Sequence, residues 1–255
     1  MKSPLQDKRC NFQGMPLLKE MIPSGSIVEA YLFFAGKAEL SLASDERFVI
    51  AHTNRYPVYE FWKCIEKDPF LVAEMVRSFF PMASEDMFYI FQEKWHTYAD
   101  PFMRAALMFV LNCCSEKGTI SSGRLFRSVI NPLALRNLES FEATNINIHF
   151  DPEEEILQTL TAGHMNPESV VLLSAGNYEP LFFPHSKPRG PEESLFDPSA
   201  LKLQLDGLDK KWILLYNMHP QILSLYEDYN IIGINQHGFQ LAHPAAASEV
   251  LIANF

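Results

Sequence analysis

The sequence predicts an α/β fold in which a mixed sheet carries helices on both faces and a helical lobe is inserted after the second strand. Three observations support this prediction. The chain begins with a strand–helix–strand unit, and the same alternation resumes after residue 143. Between these parts, residues 58–142 place apolar side chains every three or four positions, which is typical of amphipathic helices. We therefore assign residues 1–57 and 143–255 to an α/β core and residues 58–142 to the lobe.

Each element follows from a local signal. Short apolar runs bounded by turn residues predict the strands, and apolar periodicity predicts the helices. Proline directly after a capping Asp, Asn or His marks the start of four helices, at residues 132, 152, 198 and 220. The predicted strands cover residues 27–33, 47–51, 146–150, 169–174, 212–216, 230–234 and 250–255. The other predicted helices cover residues 17–22, 61–66, 70–80, 85–96 and 101–114, with one more ending near Leu42.

Composition and charge restrict the classes of function. The chain has 255 residues, of which 47% are hydrophobic and 20% charged, as in ordinary globular proteins. No apolar run reaches the roughly 18 residues that span a bilayer, and the first residues lack the apolar region of a signal peptide. We therefore expect a cytoplasmic protein with no membrane partner. The net charge of −10 opposes the attraction to phosphate on which nucleic-acid binding depends.

The apolar strand that begins near residue 169 ends in a turn of small residues followed by a tyrosine. The turn is Ala175-Gly176-Asn177-Tyr178. In open α/β sheets, ligands bind at the carboxyl ends of strands. We therefore expect this turn to lie where a ligand or substrate would be bound, and we assign no catalytic residue in it.

This turn resembles, in position, the Asp-Pro-Pro-Tyr motif of the Dam-type N6-adenine DNA methyltransferases. Further similarities follow in the family's order over nearly the whole chain: residues 28–43 are similar to its cofactor loop, residues 65–69 to its Ile-x-x-Asp-Pro turn, residues 104–112 to its Arg-Ala-Ala helix and residues 249–255 to its closing strand. The resemblance implies a class I methyltransferase core, which is Rossmann-like and ends in an antiparallel hairpin. It also implies that the lobe resembles a target-recognition domain.

The resemblance implies a reaction for which this chain lacks the central group. In the family, the Asp of the motif accepts a hydrogen bond from the amine of a flipped-out adenine, and the Tyr stacks on that base. Ala175 occupies the Asp position and accepts no hydrogen bond. Losing one positioned polar group typically costs on the order of 10² to 10³ in rate. Ser174 or Asn177 would replace it only in a rebuilt turn, and Tyr178 is either a base-stacking ring or an ordinary loop aromatic.

The positions that the resemblance assigns to S-adenosylmethionine are also altered. Ala38 replaces the second glycine of the cofactor loop, where the backbone approaches the ligand. Two acids of the family fall on His149 and on His52 or Thr53, whereas Glu29 is retained. We therefore expect no bound cofactor. The assigned cofactor positions are Glu29, Phe34, Gly36, Ala38, His52 and His149.

His52 and His149 have two interpretations. They form either a metal-binding or acid–base pair, or two polar residues in a defunct cofactor cleft. We favour the second interpretation because no His or carboxylate spacing typical of a metal site accompanies them. The four cysteines likewise lack metal-ligand spacing, and we predict reduced, mostly buried thiols and no metal.

The candidate DNA-binding residues are Lys117, Arg124 and Arg127. They belong to a stretch, residues 117–136, that contains four basic residues and no acid. In the resembled family this region belongs to the DNA-facing lobe. A solvated loop is the alternative interpretation.

We therefore hypothesise a pseudoenzyme: a non-catalytic homologue of adenine-specific DNA methyltransferases, from a phage or mobile element, that acts as a binding or assembly module for DNA or a partner protein. One alternative is an active but divergent S-adenosylmethionine-dependent DNA adenine-N6 methyltransferase. A second alternative is a protein-interaction subunit with no nucleic-acid role, which the net negative charge favours.

Overall fold

The computed structural model describes residues 2–7, 12–80, 84–116, 118–151, 168–178, 190–193 and 196–255. Its strands are β1 (Ile27–Tyr31), β2 (Phe48–Thr53), β3 (Ile146–Phe150), β4 (Val170–Gly176), β5 (Trp212–Asn217), β6 (Asn230–Ile234), β7 (Gln240–Leu241) and β8 (Glu249–Ala253). Its helices are α1 (Met15–Met21), α2 (Lys37–Ala43), α3 (Tyr56–Lys67), α4 (Pro69–Ser78), α5 (Glu85–Lys94), α6 (Pro101–Cys114), α7 (Pro132–Glu139), α8 (Pro198–Asp206) and α9 (Pro220–Leu225). Short 3-10 helices cover Trp95–Thr97 and Pro244–Ala246.

The eight strands form one mixed sheet in the order β3-β2-β1-β4-β5-β8-β6-β7. The strands from β3 to β5 are parallel, whereas β8 runs antiparallel between β5 and β6. The predicted α/β fold is thus confirmed, with a mostly parallel sheet core and helices packed around it. The strand order reverses between β1 and β4, and such a switch point is where open α/β sheets bind ligands.

The chain divides into two compact units. The α/β unit comprises Arg9–Asn54, Thr144–Ser186 and Leu195–Phe255, and the helical unit comprises Met1–Lys8, Arg55–Ala143 and Lys187–Ser194. Residues 1–8 and 187–194 therefore group with the helices, although the predicted core of residues 1–57 and 143–255 included them. Sequence periodicity does not reveal this grouping because both segments lack regular structure in their described residues.

The core of the α/β unit lies around the central strands. Parallel strands buried on both faces are expected to be continuously apolar, as the runs at 170–173 and 212–216 are. Side chains of these strands form one buried cluster with α8, α9 and β8, which we call the apolar cluster. Its buried members are Tyr31, Val171, Leu173, Leu201, Leu205, Trp212, Leu214, Tyr216, Ile222, Tyr226, Ala247, Val250 and Ile252.

The helical unit is organised around α6, which contacts α3, α4 and α5. Every residue from Ala105 to Cys114 is buried. Side chains cap four helices of this unit by accepting hydrogen bonds from backbone amides, which explains where those helices begin. The capping residues are Asp68, Ser84, Asp100 and Asn131.

Three cysteines of the helical unit are free and buried. Burial raises the pKa of Cys64 to about 11 and the pKa of Cys114 to about 12, and it also raises the pKa of Cys113. These thiols therefore stay protonated at neutral pH and react poorly. Cys10 lies outside the described residues.

Some boundaries differ from those predicted. β1 ends at Tyr31 rather than at residue 33 because Leu32 adopts a left-handed backbone, with φ of 61°. β7, only two residues long, was not predicted. The helix predicted from residue 152 lies outside the described residues. Within the described residues, no helix has both the length and the apolar character needed to cross a membrane.

Asn112 offers a test of the helical unit's packing. Its fully buried side chain accepts a hydrogen bond from the Gln6 amide at 2.7 Å and donates to the carbonyl oxygens of Gln6 and Gly118. Asn112→Ala leaves these backbone groups unsatisfied, and we expect it to lower the free energy of unfolding by about 2 to 3 kcal/mol. Urea denaturation measures this loss.

Asn137→Ala is the matched control. The Asn137 side chain donates one hydrogen bond of 3.3 Å, to the Ser3 carbonyl oxygen. We expect this variant to lose less than about 1 kcal/mol, because a single partly buried hydrogen bond contributes little. Equal losses in the two variants would contradict the role assigned to Asn112.

Candidate functional site

The predicted cofactor loop lies at the carboxyl end of β1, beside the switch point. Gly36 is the N-cap residue of α2 and has a left-handed backbone, and a Cβ atom placed on it would lie 2.5 Å from Cε2 of Phe33. The buried Phe33 ring therefore packs directly against this glycine. Phe34 and Ala38, two further predicted cofactor positions, are also buried. The loop is thus tightly packed with its own side chains.

Glu29 lies buried in the middle of β1. Its carboxylate accepts hydrogen bonds from the Ser169 hydroxyl at 2.9 Å and from the Tyr31 hydroxyl at 3.4 Å. Burial, the Glu29 carboxylate and the Asp151 carboxylate raise the pKa of Tyr31, which therefore stays a neutral donor. Glu29 accordingly ties β1 to the residue that precedes β4.

His52 and His149 face each other across β2 and β3. Their ring centroids lie 5.7 Å apart, and the other neighbour of His52 is the Tyr31 ring, stacked at 4.6 Å. The Asp151 carboxylate lies 2.5 Å from Nδ1 of His52. The buried Nε2 of His52 has no hydrogen-bond partner in the structure as described. The two histidines therefore form a stacked pair in which one ring is oriented by a carboxylate.

This stacked pair does not form a recognisable metal site. Among the described residues, no group of three or more His, Cys, Asp and Glu side chains is arranged to hold a metal ion. Asp151 was not identified as a partner of His52 from the sequence, because its position before Pro152 has the pattern of a helix cap. The strand register places His52 opposite His149, two residues before Asp151, and register is not visible in the sequence.

The four positions equivalent to the family's catalytic motif, Ala175 to Tyr178, lie at the carboxyl end of β4. The pairing of β4 with β5 shifts between Ser174 and Gly176, so that Ala175 is bulged, and Gly176 has a φ of 75°. The Ala175 and Tyr178 side chains pack against the apolar cluster. The turn is therefore shaped by packing within the α/β unit.

The polar and aromatic groups after Ala175 contact neighbouring side chains of the same unit. The side-chain Oδ1 of Asn177 accepts a hydrogen bond from the side-chain Nδ2 of Asn217 at 2.6 Å. The Tyr178 ring stacks on His219, with ring centroids 4.8 Å apart. In the turn itself, the methyl group of Ala175 has no capacity to accept a proton or a hydrogen bond.

Glu39 is a carboxylate at the switch point that was not predicted. It lies in the first turn of α2, is 2% exposed, and accepts a hydrogen bond from the Ser174 hydroxyl at 2.7 Å. In the resembled loop pattern this position is alanine, so a carboxylate occurs on α2 where the pattern has none. The sequence signal that could have identified Glu39 is a charged residue among the apolar positions of a short helix.

Glu249 is another buried carboxylate at this edge of the sheet. It lies opposite Asn217 of β5 and accepts a hydrogen bond from the Gln13 amide at 2.7 Å. Burial raises its pKa, whereas the Gln13 amide and the Lys37 ammonium oppose that rise. Glu249 thereby anchors the segment that leads into α1.

The second candidate site is the loop of residues 118–127, in the helical unit. Arg124 and Arg127 are exposed, and Lys117 lies outside the described residues. Phe126, which was not predicted as a site residue, is 59% exposed, and the Arg127 guanidinium lies 5.4 Å from its ring centroid. This loop therefore presents an aromatic ring beside two cationic side chains.

The 118–127 loop is held in place by buried groups. Ser121 donates from its amide and its hydroxyl to the Glu192 carboxylate, at 2.8 and 2.7 Å, and Glu192 is 2% exposed. The Trp95 indole donates to the Ser121 hydroxyl, and the Gln92 side chain donates to the Ser122 carbonyl oxygen. Glu192 was not predicted because its partner lies 71 residues away.

Gly36→Ala tests whether Phe33 fills the cofactor loop. Gly25 is the matched control, because it has φ of 80° and no heavy atom within 4 Å of an added Cβ. We expect Gly25→Ala to lower the free energy of unfolding by about 1 to 2 kcal/mol, the cost of a left-handed non-glycine residue. Gly36→Ala is expected to lose about 1 to 3 kcal/mol more through overlap with the ring.

Thermal and urea unfolding measure both losses. Equal losses in the two variants would mean that the ring moves aside easily, and the tightly packed loop would then not be an obstacle to a ligand.

Comparison with known proteins does not assign this geometry to a family. No protein-family model matches the sequence, and no curated protein has a significant match to it.

Proposed function

We propose that this chain is a non-catalytic homologue of the Dam-type adenine-specific DNA methyltransferases and acts as a binding or assembly module, with DNA as the better supported partner. The observation that carries the proposal is Ala175 at the carboxyl end of β4, beside the switch point of the sheet. The neighbouring groups contact other side chains: Ser174 donates a hydrogen bond to Glu39. Asn177 accepts a hydrogen bond from Asn217, and Tyr178 stacks on His219.

The sheet supports the resemblance to class I methyltransferases. That resemblance implies a cofactor at the carboxyl ends of the first strands and a closing antiparallel hairpin. The parallel strands β1, β2 and β4 are consistent with the first strands of such a core, and the antiparallel pair of β6 and β8 is consistent with the closing hairpin. Fold alone does not specify function, which depends on the residues of the site.

The chemistry of the site argues against methyl transfer. An exocyclic amine needs a positioned acceptor to become nucleophilic, and Ala175 provides none. On the cofactor side, Phe33 packs against Gly36. The family's two acids fall on His149 and on His52 or Thr53, none of which is acidic, and the rings of His52 and His149 stack on each other. A site that has lost several positioned polar groups loses more than the 10² to 10³ in rate typical of one group.

The 118–127 loop is the feature that supports DNA as the binding partner. Arg124 and Arg127 are exposed on a loop that is held by buried hydrogen bonds, and the surrounding stretch of sequence contains no acid. The net charge of −10 restricts such binding to this locally basic surface.

Titration calorimetry with S-adenosylmethionine tests the non-catalytic assignment. We expect no heat of binding at ligand concentrations up to about 1 mM. Binding with a micromolar dissociation constant, about −8 kcal/mol, would contradict the assignment. Differential scanning fluorimetry provides an independent check, because a ligand that binds the folded state raises the melting temperature.

An active, divergent adenine-N6 methyltransferase is the second candidate function. The observation that favours it is the buried Glu39 carboxylate, which accepts a hydrogen bond from Ser174 next to the motif position. Incubation with radiolabelled cofactor and unmethylated DNA discriminates between the candidates. Transfer of label that is lost in Tyr178→Ala and retained in the control Tyr98→Ala would establish the active enzyme. Our proposal expects no transfer in any of the three proteins.

A further inference from the structure

We propose that the 118–127 loop binds unpaired nucleotides, with a base stacked on Phe126 and phosphates bound by Arg124 and Arg127. This inference rests on the proposed role in DNA binding and specifies the form of nucleic acid. It concerns only the helical unit, in which all the residues that carry it lie.

Phe126 provides the stacking surface. Its side chain is 59% exposed, so that part of the ring is accessible to a base. The Arg127 guanidinium lies near the ring, and Arg also contributes to base binding through cation–π contacts. Stacking of one base on an aromatic ring contributes about 1 to 3 kcal/mol.

The charges around Phe126 favour a polyanion. Arg124 and Arg127 are exposed, and neither guanidinium forms an ion pair with a carboxylate of the described residues. Residues 118–136 contain no Asp or Glu. Two acidic residues contact the loop itself: the buried Glu192 carboxylate accepts two hydrogen bonds from Ser121, and the Glu116 backbone amide donates to the Arg124 carbonyl oxygen. Glu85 is a third acidic residue in this region. Its hydrogen bond raises the pKa of Tyr89, and Arg124 and the Leu125 amide oppose that rise.

The number and kind of contacts favour an unpaired strand over a duplex. Two guanidinium groups neutralise few phosphates, and the net charge of −10 weakens any wider electrostatic attraction. Stacking does not depend on charge, but it requires a base with an accessible face. In a duplex those faces are covered by neighbouring base pairs, so Phe126 has access to them only in an unpaired strand.

The loop is organised before any ligand binds. The Glu192 carboxylate accepts two hydrogen bonds from Ser121, and the carbonyl oxygen of Glu192 accepts a hydrogen bond from the Arg55 guanidinium. The amides of Phe126 and Arg127 both donate to the Cys114 carbonyl oxygen. A preorganised loop binds more tightly because little conformational entropy is lost on binding. Glu192 is thus a positioning residue for the nucleotide site.

Fluorescence anisotropy with two labelled DNA probes tests the proposal. One probe is a 12-nucleotide single strand, and the other is a hairpin in which the same sequence is fully paired. We expect wild-type protein to bind the single strand more tightly. Phe126→Ala is expected to weaken that binding about 5- to 150-fold, the loss of one stacked base. Phe70→Ala is the matched control, because Phe70 is a 68% exposed phenylalanine on α4, and we expect it to bind as wild type does.

Salt dependence tests the two arginines separately. Removing one phosphate contact to a single strand lowers the slope of log K against log salt by about 0.7. We expect Arg124→Ala and Arg127→Ala each to show this change. Phe126→Ala is expected to leave the slope unchanged, because stacking releases no counterions.

The outcomes separate this inference from the proposed function. Tighter binding of the duplex probe, or equal affinity of Phe126→Ala and wild type, would overturn the nucleotide site while leaving DNA binding in place. If wild-type protein binds neither probe at low salt, both the inference and the DNA role are overturned, and a protein-interaction subunit is then favoured.

Hydrogen exchange tests the positioning role of Glu192 without any ligand. We expect Glu192→Ala to speed exchange of the Ser121 amide and to weaken single-strand binding. Glu192→Gln keeps an acceptor oxygen for that amide and is expected to restore most of both properties. Unchanged exchange in Glu192→Ala would refute the positioning role.

Discussion

The parallel pairing of β1 with β4 is the constraint on which the rest of the candidate site depends. It places Val28 opposite Val170 and Tyr31 opposite Leu173, so that both strands end at the same edge of the sheet. The loops that follow them therefore lie next to each other, and Ser174 reaches Glu39. Glu29 reinforces the pairing from within, because its buried carboxylate binds Ser169 just before β4.

Carboxylates at this edge of the sheet bind protein groups. Glu39 accepts a hydrogen bond from a hydroxyl, Asp151 contacts a histidine, and Glu249 accepts a hydrogen bond from a backbone amide. Each of these buried or partly buried charges needs compensation, because desolvation of a carboxylate is costly. In the contacts seen here, the carboxylates stabilise loops, and the motif position has only a methyl group. This distribution of charge is the physical basis for the proposed loss of catalysis.

Much of the fold follows from local sequence signals. The strands at 146–150 and 230–234 and the helix at 101–114 begin and end as predicted, because apolar runs and proline after a capping residue mark their boundaries. β1 was predicted two residues too long, since nothing in a run of aromatic residues indicates the left-handed backbone of Leu32. β7 escaped prediction because two residues carry no periodicity.

The candidate site was less predictable because its contacts join residues that are distant in sequence. Ser174 and Glu39 are 135 positions apart, and His52 and Asp151 are 99 apart. The motif positions were identified from a short local pattern, whereas the partners that determine their environment depend on strand order and register. The exposure of Phe126 was also unpredictable, since an aromatic residue between two arginines fits a buried or an exposed position equally well.

The close approach of Gly190 to Ser121 has an evolutionary consequence. A Cβ atom on Gly190 would overlap the Ser121 hydroxyl and the Glu192 carboxylate. A larger residue at position 190 would therefore displace both of these side chains. Positions 121, 190 and 192 are therefore expected to covary among homologous sequences. A lineage that lost the glycine would be expected to change its serine or its glutamate as well.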